Sequence, residues 1–174
     1  MLDTKKLLYI LPEVAYIAEV LPDKKPHSFV VHAFTQINGA FLSEEEFTTA
    51  NIIKLFTKLE RGEAYHVILP DFLFTNTIVS VTGTSDKNIK DELKTNLFPQ
   101  LGLEPTTHLL DSSVLNEIRG NSRVQLSAIE KELLVPLRVA AQAAEVQISA
   151  ISPLSWAIKS FVSLEPSISV LQLG

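Results

Sequence analysis

The sequence predicts an α/β fold, and three observations within residues 122–156 carry that reading. Val124, Leu126 and Ala128 alternate with polar neighbours, the two-residue period of a strand with one buried face. Leu133, Leu134, Leu137, Ala140, Ala141 and Ala144 then recur at three- and four-residue spacing, the apolar stripe of a helix. Val146, Ile148 and Ala150 return to alternation, and Pro153 is expected to open a further helix, in whose first turn its missing N–H costs nothing. Strand, helix, strand, helix is the succession of a layered α/β domain.

Composition sets the limits. The 174 residues suit one domain or two small interleaved subdomains. With 46% hydrophobic and 20% charged residues, the chain has enough apolar surface to bury a core. Its formal net charge is -5 and the 15 basic residues are dispersed, which argues against nucleic-acid binding through a phosphate-neutralising patch. There is no cysteine, hence neither a disulfide framework nor a thiolate metal site, and this fits a cytosolic protein. Residues 1–12 lack the apolar core of a signal peptide, and no apolar run approaches the ~20 residues of a spanning helix. The expectation is a soluble protein without direct membrane insertion, able to dock on a membrane partner.

The elements follow in order. Residues 7–11 and 14–21 read as two strands around a tight turn at Pro12-Glu13, because proline cannot donate to a ladder. Residues 23–26 read as a polar turn and 28–37 as a strand rich in β-branched and aromatic residues. Asn38-Gly39 signals a hairpin, with 40–42 as its return strand. Ser43 and Glu46 have the spacing of a capping box, opening a helix that runs to about Glu60 with Ile52, Leu55, Phe56 and Leu59 on one stripe. Arg61-Gly62 closes it. Residues 65–81 split at Pro70-Asp71 into two strands, the first apolar enough to be covered on both faces. Ser85 caps a helix marked by Ile89, Leu93 and Leu97, which Pro99 and Gly102 end. Residues 107–118 form a strand with an irregular middle, and 119–122 turn the chain. Pro136 requires the next helix either to start near Leu134 or to kink. The helix after Trp156 continues to about Phe161, and 168–173 form a last strand. Ending at Gly174 directly after an apolar strand, the chain reads as a piece of a longer protein.

The residues contain no catalytic constellation. His27, His32, His66 and His108 have no ligand-like spacing and read as ordinary strand or loop histidines rather than metal ligands. No G-x-S-x-G elbow surrounds any serine, and six glycines form no phosphate-cradling motif. Glu44, Glu45 and Glu46 are accounted for by the capping box, and Trp156 reads as core.

The order of these elements resembles the first half of an actin-like ATPase of the PilM type, the type IV pilus assembly proteins related in fold to FtsA. Residues 8–21 (LYILPEVAYIAEVL) are similar to the family's opening hairpin, a strand, a DIG-containing turn and a strand ending near V-x-E-L. Residues 67–81 (VILPDFLFTNTIVSV) resemble its LPG-like turn between two strands, and 85–102 (SDKNIKDELKTNLFPQLG) its helix ending in a Y-x-P-like motif. Residues 127–158 resemble a helix ending in AGL, then a strand and an ID-like turn into a helix. Residues 168–174 (ISVLQLG) resemble the second phosphate strand. The resemblance implies the first half of an actin-like (ribonuclease H-like) fold, with residues 1–81 and 146–174 as its 1A-like core subdomain and 82–145 as an inserted, 1C-like α/β subdomain.

The departures from the family pattern bear on mechanism. Where its first phosphate turn carries Asp and Gly, this chain has Tyr9 and Leu11, followed by Pro12; where its second ends in Asp-x-Gly, this chain has Gln172, Leu173 and Gly174. An actin-like site needs close backbone approach to phosphate and carboxylates that order hydrated Mg²⁺. The expectation is therefore no ATP, no metal and no catalysis. The resemblance implies a cytoplasmic scaffold, peripheral at the inner membrane, that recruits an inner-membrane pilus protein through a PilN-like tail held beside the inserted subdomain. Three other readings stand beside it: a GspL-like cytoplasmic domain of type II secretion, an active actin-like ATPase whose second half lies beyond these residues, and a structural domain that self-associates through strand edges.

Overall fold

The computed structural model describes residues 4–22, 29–83 and 85–157. The chain divides into two compact units, with boundaries between Asp71 and Phe72 and between Val135 and Pro136.

The first unit is built on a five-stranded sheet in the order β10-β6-β1-β2-β3. β1 (Lys5–Ile10) and β2 (Val14–Pro22) form an antiparallel hairpin, Lys5 opposite Val20 and Ile10 opposite Ala15, around the Pro12-Glu13 turn that the sequence predicts. β3 (Phe29–Asn38) continues the antiparallel pairing, with a bulge where Glu19 opposes Ala33 and Val20 opposes Val31. β6 (Ala64–Leu69) pairs in parallel with β1 on one side and with β10 (Gln147–Pro153) on the other. Tyr65, Val67, Ile68 and Leu69 are all buried, as the continuous apolar run predicts for a strand covered on both faces. α1 (Thr49–Phe56) contributes Ile52, Leu55 and Phe56 to the same core, and α4 (Val135–Ala144) contributes Leu137, Ala140, Ala141 and Ala144. Of the two options at Pro136, the helix start is realised: Pro136 is its second residue, where no hydrogen bond is lost. Pro153 ends β10 opposite Leu69 rather than opening the helix, and helical backbone begins at Leu154.

Lys6 lies near the start of β1 among three carboxylates. Its ammonium hydrogen-bonds Glu60 and lies 3.6 Å from both Glu19 and Glu63. The bond to Glu60 does most to hold its pKa above the ordinary lysine value.

Two expectations fail in residues 38–60. Asn38-Gly39 forms no hairpin: β3 simply ends, and Gly39, Phe41 and Leu42 donate their N–H groups to carbonyls of the β1–β2 turn. Nor do Ser43 and Glu46 form a capping box. They pair across a tight hairpin, β4 (Leu42–Ser43) with β5 (Glu46–Phe47), whose two-residue turn is Glu44-Glu45. The pairing sets Leu42 opposite Phe47, and burying both side chains outweighs the helix-start preference of the polar run. The helix starts at Thr49 instead and ends at Phe56, four residues before Glu60. Leu59 nevertheless stays buried, in a turn where it donates its N–H to the Phe56 carbonyl.

The second unit carries a three-stranded antiparallel sheet, β7-β9-β8: β7 (Thr75–Thr82), β8 (His108–Ile118) and β9 (Asn121–Glu130). Ladder bonds join β7 to β9 over Thr75–Thr82, which puts β7 inside the lobe, whereas the sequence division sets the boundary at 82 and 146. The irregular middle of β8 is a bulge between Val114 and Asn116, and Arg119-Gly120, both at positive φ, link β8 to β9. Ser85 caps α2 (Asp86–Glu92), its hydroxyl accepting from the Asn88 N–H. A π turn, Leu93–Leu97, leads into α3 (Phe98–Gln100). Gly102 at φ +69 ends this run: its N–H bonds the Pro99 carbonyl, and the Leu103 N–H bonds that of Phe98. Val81, Ile89, Leu93, Phe98, Val124 and Leu126 form the lobe's core.

Residues 23–26, Phe161 and the predicted strand 168–173 lie outside the described residues.

Glu44 (φ 49) and Glu45 (φ 70) occupy the left-handed region, which costs a side-chain-bearing residue roughly 1–2 kcal/mol. Glu45→Gly is expected to stabilise the chain by about 1 kcal/mol, raising Tm in thermal unfolding by roughly 3 °C.

Candidate functional site

In an open α/β sheet, ligands bind beyond the carboxyl ends of the parallel strands. Here those ends are Ile10 of β1, Leu69 of β6 and Pro153 of β10. The positions that the sequence compares with a first phosphate turn stand at this edge. Tyr9 is the penultimate residue of β1, and Leu11 and Pro12 begin the turn. Gln172, Leu173 and Gly174, the positions matching the second turn, lie outside the described residues.

The backbone of the first turn is committed to the protein itself. Leu11 donates its N–H to the Val14 carbonyl at 2.8 Å, and Pro12 has no N–H. The Pro12 carbonyl accepts from Phe41 at 2.7 Å and Leu42 at 3.3 Å, and the Glu13 carbonyl accepts from Gly39 at 2.9 Å. A phosphate cradle consists of converging backbone N–H groups. At this turn one such group is used internally and a second is absent. The segment 39–42 packs so closely that a Cβ on Gly39 would lie 2.8 Å from Cζ of the buried Phe41 ring.

Tyr9 faces an aromatic row. Its ring stacks on Tyr16 at 6.2 Å between centroids, and Tyr16 stacks on Phe34 at 5.4 Å. Burial, with Asp71 and Tyr16 nearby, raises the Tyr9 phenol above its ordinary pKa. Tyr9 thus serves as a packing group.

Sequence reasoning missed two polar contacts between β6 and β10. The Asp71 carboxylate accepts from the Ser155 N–H, at 3.1 Å to Oδ2, and from the Ser155 hydroxyl. It caps the backbone that turns helical after β10, and so ties the ends of two parallel strands together. The sequence signal was there: Pro70-Asp71 and Pro153-x-Ser155 each close a strand. One step back along the strands, Nε2 of the half-buried His66 hydrogen-bonds Oγ of Ser152. Burial foremost, then the positive charge of Lys5, lowers the His66 pKa. His32 is exposed on β3, and His108 Nδ1 lies 2.9 Å from the Thr107 hydroxyl. Among the described residues no group of three or more His, Cys, Asp or Glu is placed to hold a metal ion. Trp156 is partly buried; His27 is outside the described residues.

Two predictions follow from this packing. Gly39→Ala should destabilise the chain by about 1–3 kcal/mol in urea unfolding, because the buried Phe41 ring has to move. Since His66 binds its proton more weakly folded than unfolded, stability should fall as pH drops below ~6.5, the unfolded imidazole's value, and level off below the lowered folded one. His66→Gln should remove that part of the pH dependence of Tm.

No family model matches the chain, and no curated protein matches its sequence. Solved structures do. The PilM-PilN type IV pilus biogenesis complex superposes with a TM-score of 0.73 at 13% identity, over 92% of this chain and 50% of that one. The cytoplasmic domain of EpsL, an inner membrane component of the type II secretion system of Vibrio cholerae, superposes with a TM-score of 0.50 at 12% identity, over 87% of this chain and 57% of that one. The chain spans about half the length of the structures it matches. At such identities the likeness is one of backbone, and the backbone is that of a PilM-like actin-like half fold.

Proposed function

We propose that this chain is a scaffold of type IV pilus assembly, an actin-like half fold that recruits an inner-membrane, PilN-like partner through a short peptide and does not hydrolyse ATP. The fold likeness to the PilM-PilN complex supports the machinery and the class of partner. The loss of nucleotide chemistry rests on one observation: the first phosphate-turn position holds Leu11, whose N–H is already bonded, and Pro12, which has none. A phosphate there would meet side chains and carbonyls instead of donors, and Tyr9 offers an aromatic ring in place of a metal-ordering carboxylate. Among the described residues no helix is long and apolar enough to cross a membrane, and the reading places the protein in the cytoplasm, held at the inner membrane by its partner.

A second reading, a GspL-like cytoplasmic domain of type II secretion, is favoured by the likeness to EpsL. The two readings share the scaffold role and differ in the partner captured.

Two measurements on the protein test the proposal. Calorimetric titration with Mg-ATP should give no binding heat, and micromolar binding would overturn the nucleotide-free reading. Pull-down with the cytoplasmic N-terminal tail of a PilN-type protein should retain the chain. Retention by a type II secretion partner in its place would select the second reading, and capture by neither would overturn both.

A further inference from the structure

Among the described residues, the second unit has an open strand edge beside a basic, apolar-floored cleft. We propose that this edge, β8, docks an extended peptide of alternating acidic and apolar residues from a partner protein. The cleft has a volume of about 430 Å³ and lies between the α2–π–α3 run and residues 108–112 of β8. All five of these consecutive residues line it, although a strand sends successive side chains to opposite faces. The cleft therefore runs along the strand's margin, and β8 is the edge strand of its sheet.

The main chain at that margin is oriented outward. Lys131 donates to the Thr107 carbonyl, and with the Leu109–Ile129 and Asp111–Ser127 register this makes the odd-numbered residues the ones that bond β9. The amides of His108, Leu110 and Ser112 consequently point away from the sheet. That of His108 bonds the Glu104 carbonyl, and that of Ser112 bonds the Asp111 carboxylate at 2.8 Å. Leu110 remains to offer both its N–H and its C=O to an added strand.

Charge defines the occupant. Lys90 and Lys94, one helical turn apart and exposed, line the cleft, and among the described residues neither makes an ion pair. Lys131 also lines it, its ammonium bonded to the Pro105 and Thr106 carbonyls, which leaves its charge uncompensated. Among the described residues Asp111 is the one carboxylate in the lining, set against three lysines in a chain of net charge -5. The buried Leu93 and Phe98 contribute apolar floor. Strand addition supplies the register, the lysines draw the peptide's carboxylates, and the floor takes its apolar side chains.

The test uses the full chain and a fluorescein-labelled octapeptide of alternating Glu and Leu, followed by anisotropy. Binding is expected, weakening with added NaCl. The Lys90→Glu/Lys94→Glu variant should bind roughly tenfold more weakly while melting at an unchanged temperature, since both side chains are exposed. Amide exchange should slow at Leu110 in the complex. Absence of binding, equal binding of a Lys-Leu octapeptide, an unaffected double variant, or protection confined to residues outside 108–112 would overturn the proposal. So would lysine-dependent binding to phosphatidylserine vesicles without peptide binding, which would assign the cleft to a lipid surface. The double variant should still capture the PilN-type tail, so the two proposals stand or fall separately.

Discussion

The structure depends on the parallel pairing of β6 with β1 and β10. Antiparallel neighbours can be joined by a few residues, whereas parallel ones need a crossover. Between β6 and β10 the crossover holds the entire second unit and then α4. The tie between Asp71 and Ser155 fastens the carboxyl ends of the two parallel strands to each other. His66 and Ser152 add a second polar link between the same strands. The Asp71–Ser155 contact lies at an exposed position just beyond the two strands, whereas His66 is a half-buried group on β6 itself.

The same sheet accounts for the character of the first turn. The carboxyl edge of parallel strands is where a ligand is expected, because strand ends and loops there leave backbone groups unpaired. Here residues 39–42 do that pairing, filling the Pro12 and Glu13 carbonyls while Phe41 is buried beneath Gly39. The backbone of the turn is thereby held by the protein itself, with Leu11 and Pro12 half-buried. The neighbouring Tyr9–Tyr16–Phe34 row extends that packing across three strands. Among the described residues a lysine-lined cleft runs beside β8 in the other unit.

Much of this was legible in the residues. Alternation marked β9 through Val124, Leu126 and Ala128, and the uninterrupted apolar run 65–69 marked β6 as a doubly covered strand. Ser85, Gly102 and Pro136 marked helix ends by chemistry that acts within a few residues. The stretch 38–48 was misread because its signals are local and its structure is not. Asn38-Gly39 suits a hairpin and Ser43 with Glu46 suits a helix cap, yet the open carbonyls of a turn 25 or more residues earlier in the chain, and a hydrophobic pair across Glu44-Glu45, took precedence.

The sequence by itself determined the elements and their order, because strand period, helix stripe and capping are set between near neighbours. It also determined what the first turn lacks, since proline has no N–H in any fold. Only the tertiary structure decided which strands lie side by side, that 39–42 closes over the turn, and that β8 is left with an open edge beside three lysines. Those outcomes depend on groups far apart in sequence competing for the same partners, and that competition is resolved only when the whole sheet is assembled.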